Sequence, residues 1–280
     1  MSLMLDDVKY FIKVSETLNI TRASEIIGIS QPALSYAVKR LESELGGQLI
    51  IRLKNGVQLT KLGEEFQQRA RRLVYEWEEA RNLAISEWGL IQGSYTIAAH
   101  PSVALYTFEH FIPQLQLEFP KLDFRLVHGL SREMTEKVIS WEADFGIVVN
   151  PIKHPDLVIN HLYEDEVTLF HTEKAYKKLI YDPNLAQSQY ILKRLMHKSD
   201  FKGDINSANL ELIAKLASLG VGYGLLPSRI ASQYPQLKKL QNAPLLIDEI
   251  CLIYRPDKHK NTMSKKIIET IKSALRAPLA

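Results

Sequence analysis

The sequence lacks the usual features of exported and membrane-bound proteins. Only one of its 280 residues is a cysteine, Cys251, so no disulfide can form within the chain. No stretch approaches the ~20 consecutive apolar residues of a membrane-spanning helix. The first residues become acidic at Asp6 and Asp7, where a secretory signal would be apolar. We therefore expect a cytoplasmic protein without a membrane partner.

An excess of one charge is also missing. The chain has 35 Lys and Arg residues against 32 Asp and Glu residues, a net charge of +3. A sequence-specific nucleic-acid binder needs positive charge at one place rather than a large total, so this balance decides nothing by itself. Charged residues make up 24% and apolar residues 46% of the chain, as in ordinary folded proteins, and 280 residues favour two or more domains.

The common motifs of catalysis are absent from the sequence. The eight histidines form no pair four residues apart with a carboxylate between them, and a single cysteine leaves a zinc site without obvious ligands. There is no phosphate-binding lysine motif and no serine in a nucleophile elbow. The segment Gly220–Gly224 lacks the spacing of a nucleotide loop and predicts a turn. These absences favour a protein that is not an enzyme and has neither a catalytic residue, a metal nor a cofactor.

What the sequence does contain begins with two short helices. In residues 5–17 the apolar side chains fall on one helical stripe. A second helix is predicted over residues 21–27, with Thr21 as its N-cap and Ile26 among its inward residues. Gly28 ends it because glycine readily adopts the left-handed conformation that a helix stop needs.

A third helix is predicted from Gln31 to the pair Gly46-Gly47. Ser30 is its N-cap and Pro32 stands in its first turn, where the missing N–H costs nothing. Apolar residues at steps of four, three and four share one buried face, and they are Leu34, Val38, Leu41 and Leu45. The polar residues left outside are Gln31, Ser35, Tyr36, Lys39 and Arg40.

The outer face of this helix suits DNA. A helix fits the major groove, where Gln and Ser can bond to base edges and Lys and Arg can neutralise phosphates. A solvated polar face is the ordinary alternative, but a β-hairpin follows, with strands over 49–53 and 57–59 around the turn Lys54-Asn55-Gly56. Together these elements predict a winged helix-turn-helix in residues 1–60. We assign its DNA contacts to Thr21, Arg22, Gln31, Pro32, Ser35, Tyr36, Lys39, Arg40, Arg52 and Lys54.

This segment strongly resembles the LysR-type transcriptional regulators. The matching residues are Phe11, Val14, Thr21-Arg22-Ala23-Ser24, Ser30-Gln31-Pro32-Ala33-Leu34-Ser35, Leu41-Glu42-Ser43-Glu44-Leu45-Gly46, Leu49, Arg52, Gly56-Val57 and Leu59-Thr60-Lys61-Leu62-Gly63. The resemblance implies a regulator that holds two reading heads over two half-sites of double-stranded DNA.

The chain departs from the family pattern at four positions. Ile50 replaces a usual Phe and Ser24 replaces a usual Ala, and both are expected in the core. Asn55 replaces a common wing Arg, which moves the wing charge onto its neighbours, and Tyr36 replaces a basic or polar residue. We therefore expect the wing contact and the bases read to differ from those of other members.

One long helix is predicted over residues 62–91, within a linker at 61–92. It contains neither proline nor a turn cluster, and at 1.5 Å per residue it would span about 45 Å. Its narrow apolar stripe should be buried by another chain, with packing inside the chain as the alternative. The resemblance implies a dimer, tetramers being usual in the family, and RNA polymerase as a further partner. The dimerisation residues are Leu62, Phe66, Leu73, Trp77, Ala84 and Trp88.

From residue 93 strands and helices alternate. The predicted strands are 95–99, 124–127, 145–149, 167–171 and 250–254, and the predicted helices include 111–115, 132–141, 208–219 and 264–275. This alternation predicts an α/β domain with a largely parallel sheet. It resembles the two-lobed effector domain of the same family, which is like a type II periplasmic binding protein. Lobe one is expected at about 93–161 and 255–280 and lobe two at about 162–254, which makes the chain an α+β multidomain protein.

Helix N-termini suggest a ligand site in this domain. Ser102, Ser131 and Ser207 each precede a predicted helix, where free N–H groups and the helix dipole favour an anion. Plain N-capping is the alternative for each serine alone. In the family these helices converge on the cleft between the lobes, so the resemblance implies a small-molecule effector. Our hypothesis is a carboxylate or another anion, with His100, Asn150 and Phe201 as wall residues.

Two other functions stay open from sequence. The C-terminal part alone would fit a solute-binding protein, although the N-terminal unit and the missing signal peptide argue against it. An enzyme with an unrecognised active site is the other alternative, and no catalytic constellation supports it. The preferred interpretation is a homo-oligomeric, effector-controlled, sequence-specific transcriptional regulator.

Overall fold

A computed structural model describes residues 5–86, 93–195 and 200–276. The chain forms two compact units. The first comprises the N-terminal part up to Ser94 with residues 121–123 and 140–142, and the second comprises the rest. In the first unit the elements are α1 Leu5–Thr17, α2 Ile20–Ile27, α3 Gln31–Leu45, β1 Ile50–Leu53, β2 Gly56–Leu59 and α4 Lys61–Ser86.

The helix ends of the first unit follow mostly from capping residues. Ser30 caps α3 as predicted, its Oγ accepting a hydrogen bond from the N–H of Ala33 at 3.3 Å. Gly28 and Gly46 both have left-handed backbones and end α2 and α3. The prediction of Thr21 as a cap is wrong. Asn19 occupies that place, and its Oδ1 accepts from the N–H of Arg22 at 3.0 Å.

Two apolar residues expected in the core of this unit are exposed. The buried residues of α2 are Ile20, Ala23 and Ser24, with Ile27 partly buried beside them, which leaves Ile26 57% exposed on the outer side. Leu45 is 40% exposed because it lies in the last turn of α3, next to the terminating glycine. The prediction that both are buried is therefore wrong. The core itself consists of Val8, Phe11, Val14, Ile20, Ala23, Leu34, Val38, Leu41, Leu49, Ile50, Val57 and Ala70.

The wing, β1 and β2, is an antiparallel hairpin fixed to the helices by its backbone. Glu42 Oε1 accepts hydrogen bonds from the N–H groups of Leu49 and Ile50 at 2.8 and 3.2 Å. The N–H of Val57 donates to the carbonyl of Leu18 at 2.9 Å. The preceding Gly56 has φ +144°, and a Cβ there would stand 2.5 Å from the same carbonyl oxygen. Only glycine can adopt this positive φ and also leave room for the carbonyl of Leu18, so the backbone contact fixes the orientation of the hairpin on the helices.

The second unit is built on one nine-stranded sheet. Its order is β4-β3-β5-β11-β6-β9-β7-β8, with β10 paired to β6. The strands are β3 Gly93–Ala99, β4 Leu122–His128, β5 Phe145–Val149, β6 Val158–His171, β7 Leu179–Tyr181, β8 Asp204–Asn206, β9 Tyr223–Pro227, β10 Lys238–Lys239 and β11 Leu246–Tyr254. The helices are α5 Pro101–Leu105, α6 Ile112–Glu118, α7 Ser131–Ile139, α8 Ala186–Arg194, α9 Leu210–Ser218, α10 Ser228–Ala231 and α11 Thr262–Arg276.

The sheet is mixed, so the prediction of a largely parallel sheet is wrong at its centre. β11 runs antiparallel to both β5 and β6, and β6 runs antiparallel to β9. Parallel pairs occur nearer the two ends, between β3 and β5 and between β7 and its neighbours β8 and β9. The centre is antiparallel because the late strand β11 inserts between two earlier strands that run opposite to it. No described helix is both long and apolar enough to cross a membrane.

Candidate functional site

The outer face of α3 and the wing form one surface. Tyr36 is 58% exposed and Lys39 is also exposed, whereas Gln31 and Ser35 are half-buried. Arg52 of β1 donates from Nη2 to Ser35 Oγ at 2.6 Å, which holds the wing beside this face of the helix. The structure therefore brings five of the DNA-contact candidates onto one continuous surface.

More candidates lie where the wing meets α2. Thr21 and Arg22 in the first turn of α2 are exposed, as are Lys54 in the wing and Pro32 in α3. A shallow depression of about 480 Å³ separates α2 from the wing, and it is lined by Asn19, Ile20, Thr21, Arg52, Leu53, Lys54, Asn55, Gly56 and Val57. Hydroxyls, basic side chains and the N-terminus of a helix are the groups that contact DNA phosphates.

Arg40 differs from the other candidates because it already has a partner. Its Nε donates to Oδ2 of Asp7 at 2.7 Å, and its Nη2 donates to Oδ1 of the same carboxylate. Asp7 is 1% exposed and the Arg40 side chain only 19% exposed. The hydrogen bond to Asp7 raises the pKa of Arg40. The expectation that Arg40 lies free on the outside is therefore wrong, since it neutralises a buried carboxylate.

The dimerisation candidates lie on α4, except Trp88, which falls outside the described residues. Phe66 packs toward the core of the first unit, with its ring centroid 5.5 Å from that of Phe11. The other four are exposed, and they are Leu62, Leu73, Trp77 and Ala84. Their spacings of 11, 4 and 7 residues place them on one helical face, because each spacing is close to a whole number of turns.

The second unit contains a cavity of about 490 Å³. Four of the six effector candidates line it, and they are His100, Ser102, Ser131 and Asn150. Phe201 and Ser207 are not among its lining residues, and Phe201 packs against Tyr223 with a centroid distance of 5.2 Å. Apolar side chains supply much of the wall, including Leu130, Val149, Val167, Leu185, Leu210, Leu225 and Pro227.

The three serines do not cap helices as expected. His100 caps α5, its Nδ1 accepting from the N–H of Ser102 at 3.3 Å. Ser131 is already inside α7, and its Oγ accepts from the N–H of Val149 at 3.1 Å. Asn209 caps α9 in place of Ser207, which bonds to the N–H of Asn209 at 3.1 Å. None of the three serines is therefore an N-cap, and in α5 and α9 a neighbouring His or Asn takes that place.

A buried ion pair that the sequence did not reveal stands in the cavity wall. Arg229 donates from Nη1 to Oδ2 of Asp165, and the two side chains are 9% and 6% exposed. Its Nη2 also donates to Ser102 Oγ at 3.3 Å. Ser102 Oγ in turn lies within hydrogen-bond distance, 2.8 Å, of Nδ1 of His100. Burial and the charge of Arg229 both lower the pKa of His100, which disfavours the charged imidazolium.

A second acidic group in the wall was also missed. Asp248 is 2% exposed, and its two oxygens accept hydrogen bonds from Asn150 Nδ2 at 2.8 Å and Gln187 Nε2 at 2.9 Å. Burial raises the pKa of Asp248, although both amides favour the carboxylate. The pattern in β11 contained a signal for this group, because Asp248 alternates onto the same face as the buried Ile250.

The cavity can therefore bind a small organic molecule with polar ends. It combines apolar walls with a few fixed hydrogen-bonding groups, which is the usual composition of ligand sites. Among the residues that the structure describes, no cluster of three or more His, Cys, Asp or Glu could hold a metal ion.

Two family models match the sequence. The model of the bacterial regulatory helix-turn-helix protein of the lysR family matches residues 5–64, and the LysR substrate binding domain matches residues 89–276. The chain belongs to the LysR family. The two matched segments of this LysR-family protein carry the winged surface and the cavity respectively.

Several known proteins are similar to this chain. The HTH-type transcriptional regulator CysL of Bacillus subtilis is 31% identical to the LysR-family protein over 164 residues, which are 59% of this chain and 55% of CysL. This match thus spans little more than half of the relative. A full-length OxyR variant from Pseudomonas aeruginosa has a TM-score of 0.71 at 21% identity, covering 99% of this chain and 98% of that one. CbnR in complex with its target DNA has a TM-score of 0.61 at 18% identity, covering 97% and 99%. Both structures show the same fold.

Proposed function

We propose that this LysR-family protein regulates transcription by binding double-stranded DNA through α3 and the wing. The observation that carries the proposal is the surface on which Tyr36 and Lys39 of α3 stand beside Arg52 and Lys54 of the wing. A helix of this kind reads base edges in the major groove, and the basic side chains neutralise phosphates. The similarity to CysL, a transcriptional regulator, and to CbnR in complex with its target DNA supports the same activity. Among the residues that the structure describes, we see no arrangement of catalytic groups that favours an enzyme.

We also propose that two copies pair through α4. The exposed apolar face of Leu62, Leu73, Trp77 and Ala84 extends over 23 residues, or about 33 Å of helix between the first and the last. Water-exposed stripes of this length are normally covered by a second helix. A pair of helices would hold two winged units at a fixed separation, as two half-sites require.

We further propose that a small molecule in the cavity of the second unit controls the activity. The apolar walls and the buried groups of His100, Ser102, Arg229 and Asp248 support an organic ligand. A carboxylate or another anion fits the exposed Arg132 in the first turn of α7.

The DNA surface is tested by removing two of its charges. Sites are first selected from a random DNA pool with the full chain, and affinity is then measured by mobility shift over a range of salt. The double variant Lys39→Ala/Arg52→Ala should bind at least tenfold more weakly, with a salt slope lower by about two, because about 0.9 counterion is released per phosphate contact. Binding at the affinity of the unsubstituted protein would show that the surface lies elsewhere.

A matched control removes the same charge from the second unit. Lys153 and Lys265 are exposed there, so Lys153→Ala/Lys265→Ala changes the net charge equally without touching the first unit. This variant should keep both the affinity and the salt slope. Circular dichroism of both variants verifies folding, since Arg52 also bonds to Ser35.

A further inference from the structure

Among the described charged residues that line the cavity, two form no ion pair. Arg229 forms a buried ion pair with Asp165, and burial and the charge of Arg229 lower the pKa of His100. Two charged lining residues remain, Arg132 and Asp248. Neither forms an ion pair among the residues that the structure describes. The cavity thus offers one unpaired cation and one unpaired anion to a ligand.

Asp248 is the more constrained of the two. Its carboxylate is held by Asn150 and Gln187, whose amides donate one hydrogen bond to each oxygen. At 2% exposure it has left water, which is costly for a carboxylate. The charge of Arg229 favours the ionised form of Asp248, but the ion pair of Arg229 is formed with Asp165. A carboxylate has about four acceptor sites, so about two remain on Asp248 beside the bonds from the two amides. These sites suit a hydrogen-bond donor that carries a positive charge. A primary ammonium group supplies both the protons and the charge.

The cation belongs to the same wall. Arg132 lies in the first turn of α7, directly after Ser131, whose Oγ holds the N–H of Val149. Val149 is followed in the chain by Asn150, whose side-chain amide donates a hydrogen bond to Asp248. A short chain of bonds therefore fixes the N-terminus of α7 relative to the buried carboxylate. The helix dipole adds positive potential beside Arg132, and a carboxylate group is its complement.

We propose that the effector is a small zwitterion of the amino-acid type. Its ammonium group binds Asp248, its carboxylate binds Arg132 and the first turn of α7, and its apolar part packs against Val167, Leu210 and Leu225. The cavity volume of about 490 Å³ suits a molecule of this size. The inference rests on the proposed function for the existence of an effector and assigns its chemical class.

The class is tested first with the unsubstituted full chain. Thermal shift and calorimetric titration are run with the twenty common L-amino acids. The best ligand is then compared with two analogues of the same carbon skeleton, one without the amino group and one without the carboxylate. We expect an amino acid to raise the unfolding temperature and each analogue to bind at least tenfold more weakly. Equal binding of either analogue, or no stabilisation by any amino acid, would overturn the inference.

A variant then locates the ammonium group. In Asp248→Asn, the new amide can accept from Asn150 and donate to a flipped Gln187, so the fold is preserved while the charge is lost. Affinity for the amino acid should fall at least tenfold, whereas affinity for the deaminated acid should stay within twofold. Glu249→Gln is the control, because Glu249 is exposed and is not among the lining residues. It should bind both ligands as the unsubstituted protein does.

Failure of the inference and failure of the proposed function give different results. DNA affinity is measured by mobility shift on the same preparations without ligand. DNA binding without any response to amino acids overturns the zwitterion and leaves the regulator. Loss of specific DNA binding in a folded preparation overturns the regulator itself. If Asp248→Asn does not fold, the comparison of amino acid and analogues in the unsubstituted protein still decides the class.

Discussion

Burial determines the chemistry of the single thiol in this chain. Cys251 lies in β11 at 2% exposure, and desolvation raises its thiol pKa to about 11. The thiolate is the form that reacts with oxidants and alkylating agents. At pH 7.5 the thiol is almost entirely protonated, and it fills space in the sheet like a small apolar side chain.

This thiol should therefore be inert in the folded protein. Treatment with a thiol-reactive dye at pH 7.5 should modify Cys251 about two orders of magnitude more slowly than glutathione, because raising the pKa from ~8.5 lowers the thiolate fraction by that factor. Hydrogen peroxide should leave DNA affinity unchanged. The same dye should react fully in urea, which is the control. Modification of the folded chain at the rate of free glutathione would contradict the assigned burial.

Asp248 shows at the scale of one residue what a sequence can indicate and what it cannot. Alternation in β11 places it on the buried face with Ile250, and an acid on such a face marks a functional position. Its amide partners Asn150 and Gln187 lie 98 and 61 residues away in the chain. No local pattern connects such distant segments. The sequence could therefore predict that an acidic side chain is buried at position 248. It could not predict which side chains surround that acid, because they come together only in the folded chain.

At the scale of elements, the start of α4 depends on a close approach of backbones. Thr60 Oγ1 accepts from the N–H of Gly63 at 3.0 Å and donates to the carbonyl of Gln48 at 2.7 Å. A Cβ on Gly63 would stand 2.1 Å from the carbonyl oxygen of Leu49. The helix can therefore pack against the wing only with glycine at this position.

Gly63→Ala should destabilise the first unit. The gain of about 1 kcal/mol in helix propensity is smaller than the strain of a forced backbone shift, so we expect a net loss of roughly 2 kcal/mol. Urea unfolding followed by circular dichroism measures this change. Gln68→Ala, on the exposed side of α4, should stay within about 0.5 kcal/mol and is the control. An unchanged or higher midpoint for Gly63→Ala would show that Leu49 yields without cost.

The first unit was predictable element by element because its signals are local. Ser30, Gly28 and Gly46 mark helix ends by their own conformational preferences, and the structure confirms them. Thr21 and Asn19 are both good caps two residues apart, so local preference could not choose between them. The side that α2 buries is decided by neighbouring helices, which is why Ile26 was misplaced.

The second unit was less predictable for the same physical reason. α8 is predominantly polar and half exposed, so no apolar period announces it. The direction of β11 depends on pairing with β5 and β6, strands far away in sequence. Strand positions near 145–149 and 250–254 are confirmed, whereas the mixed order of the sheet followed only from the structure.

At the scale of the whole molecule, the exposed face of α4 should control the oligomeric state. In Leu73→Glu/Trp77→Glu two apolar side chains one turn apart become charged, and a second helix cannot bury them without a large desolvation cost. Light scattering coupled to size exclusion should show monomers in place of dimers or tetramers. Affinity for a DNA site with two half-sites should fall at least tenfold, and affinity for one half-site should change little.

A control variant tests whether replacing any exposed apolar residue by Glu changes the oligomeric state. Ile152 is 84% exposed in the second unit, and Ile152→Glu should leave both the mass and the DNA affinity unchanged. A dimer of undiminished stability in the α4 variant would contradict pairing through this face.

The two central strands have one more consequence, which concerns motion. The chain passes between the two ends of the sheet only through β6 and β11, which are paired to each other over residues 246–254. Side-chain bonds also join the two ends, since Arg229 Nη2 donates to Ser102 Oγ at 3.3 Å and the Tyr106 hydroxyl donates to Glu211 Oε2 at 2.7 Å. Torsion or bending of the ribbon formed by β6 and β11 would therefore have to strain or break these bonds. Asp248 lies within the ribbon, two residues before the register shift between Ile250 and Cys251. The proposed effector, bound at Asp248, would contact this ribbon directly, and its binding would then be coupled to the twist and bend of the ribbon.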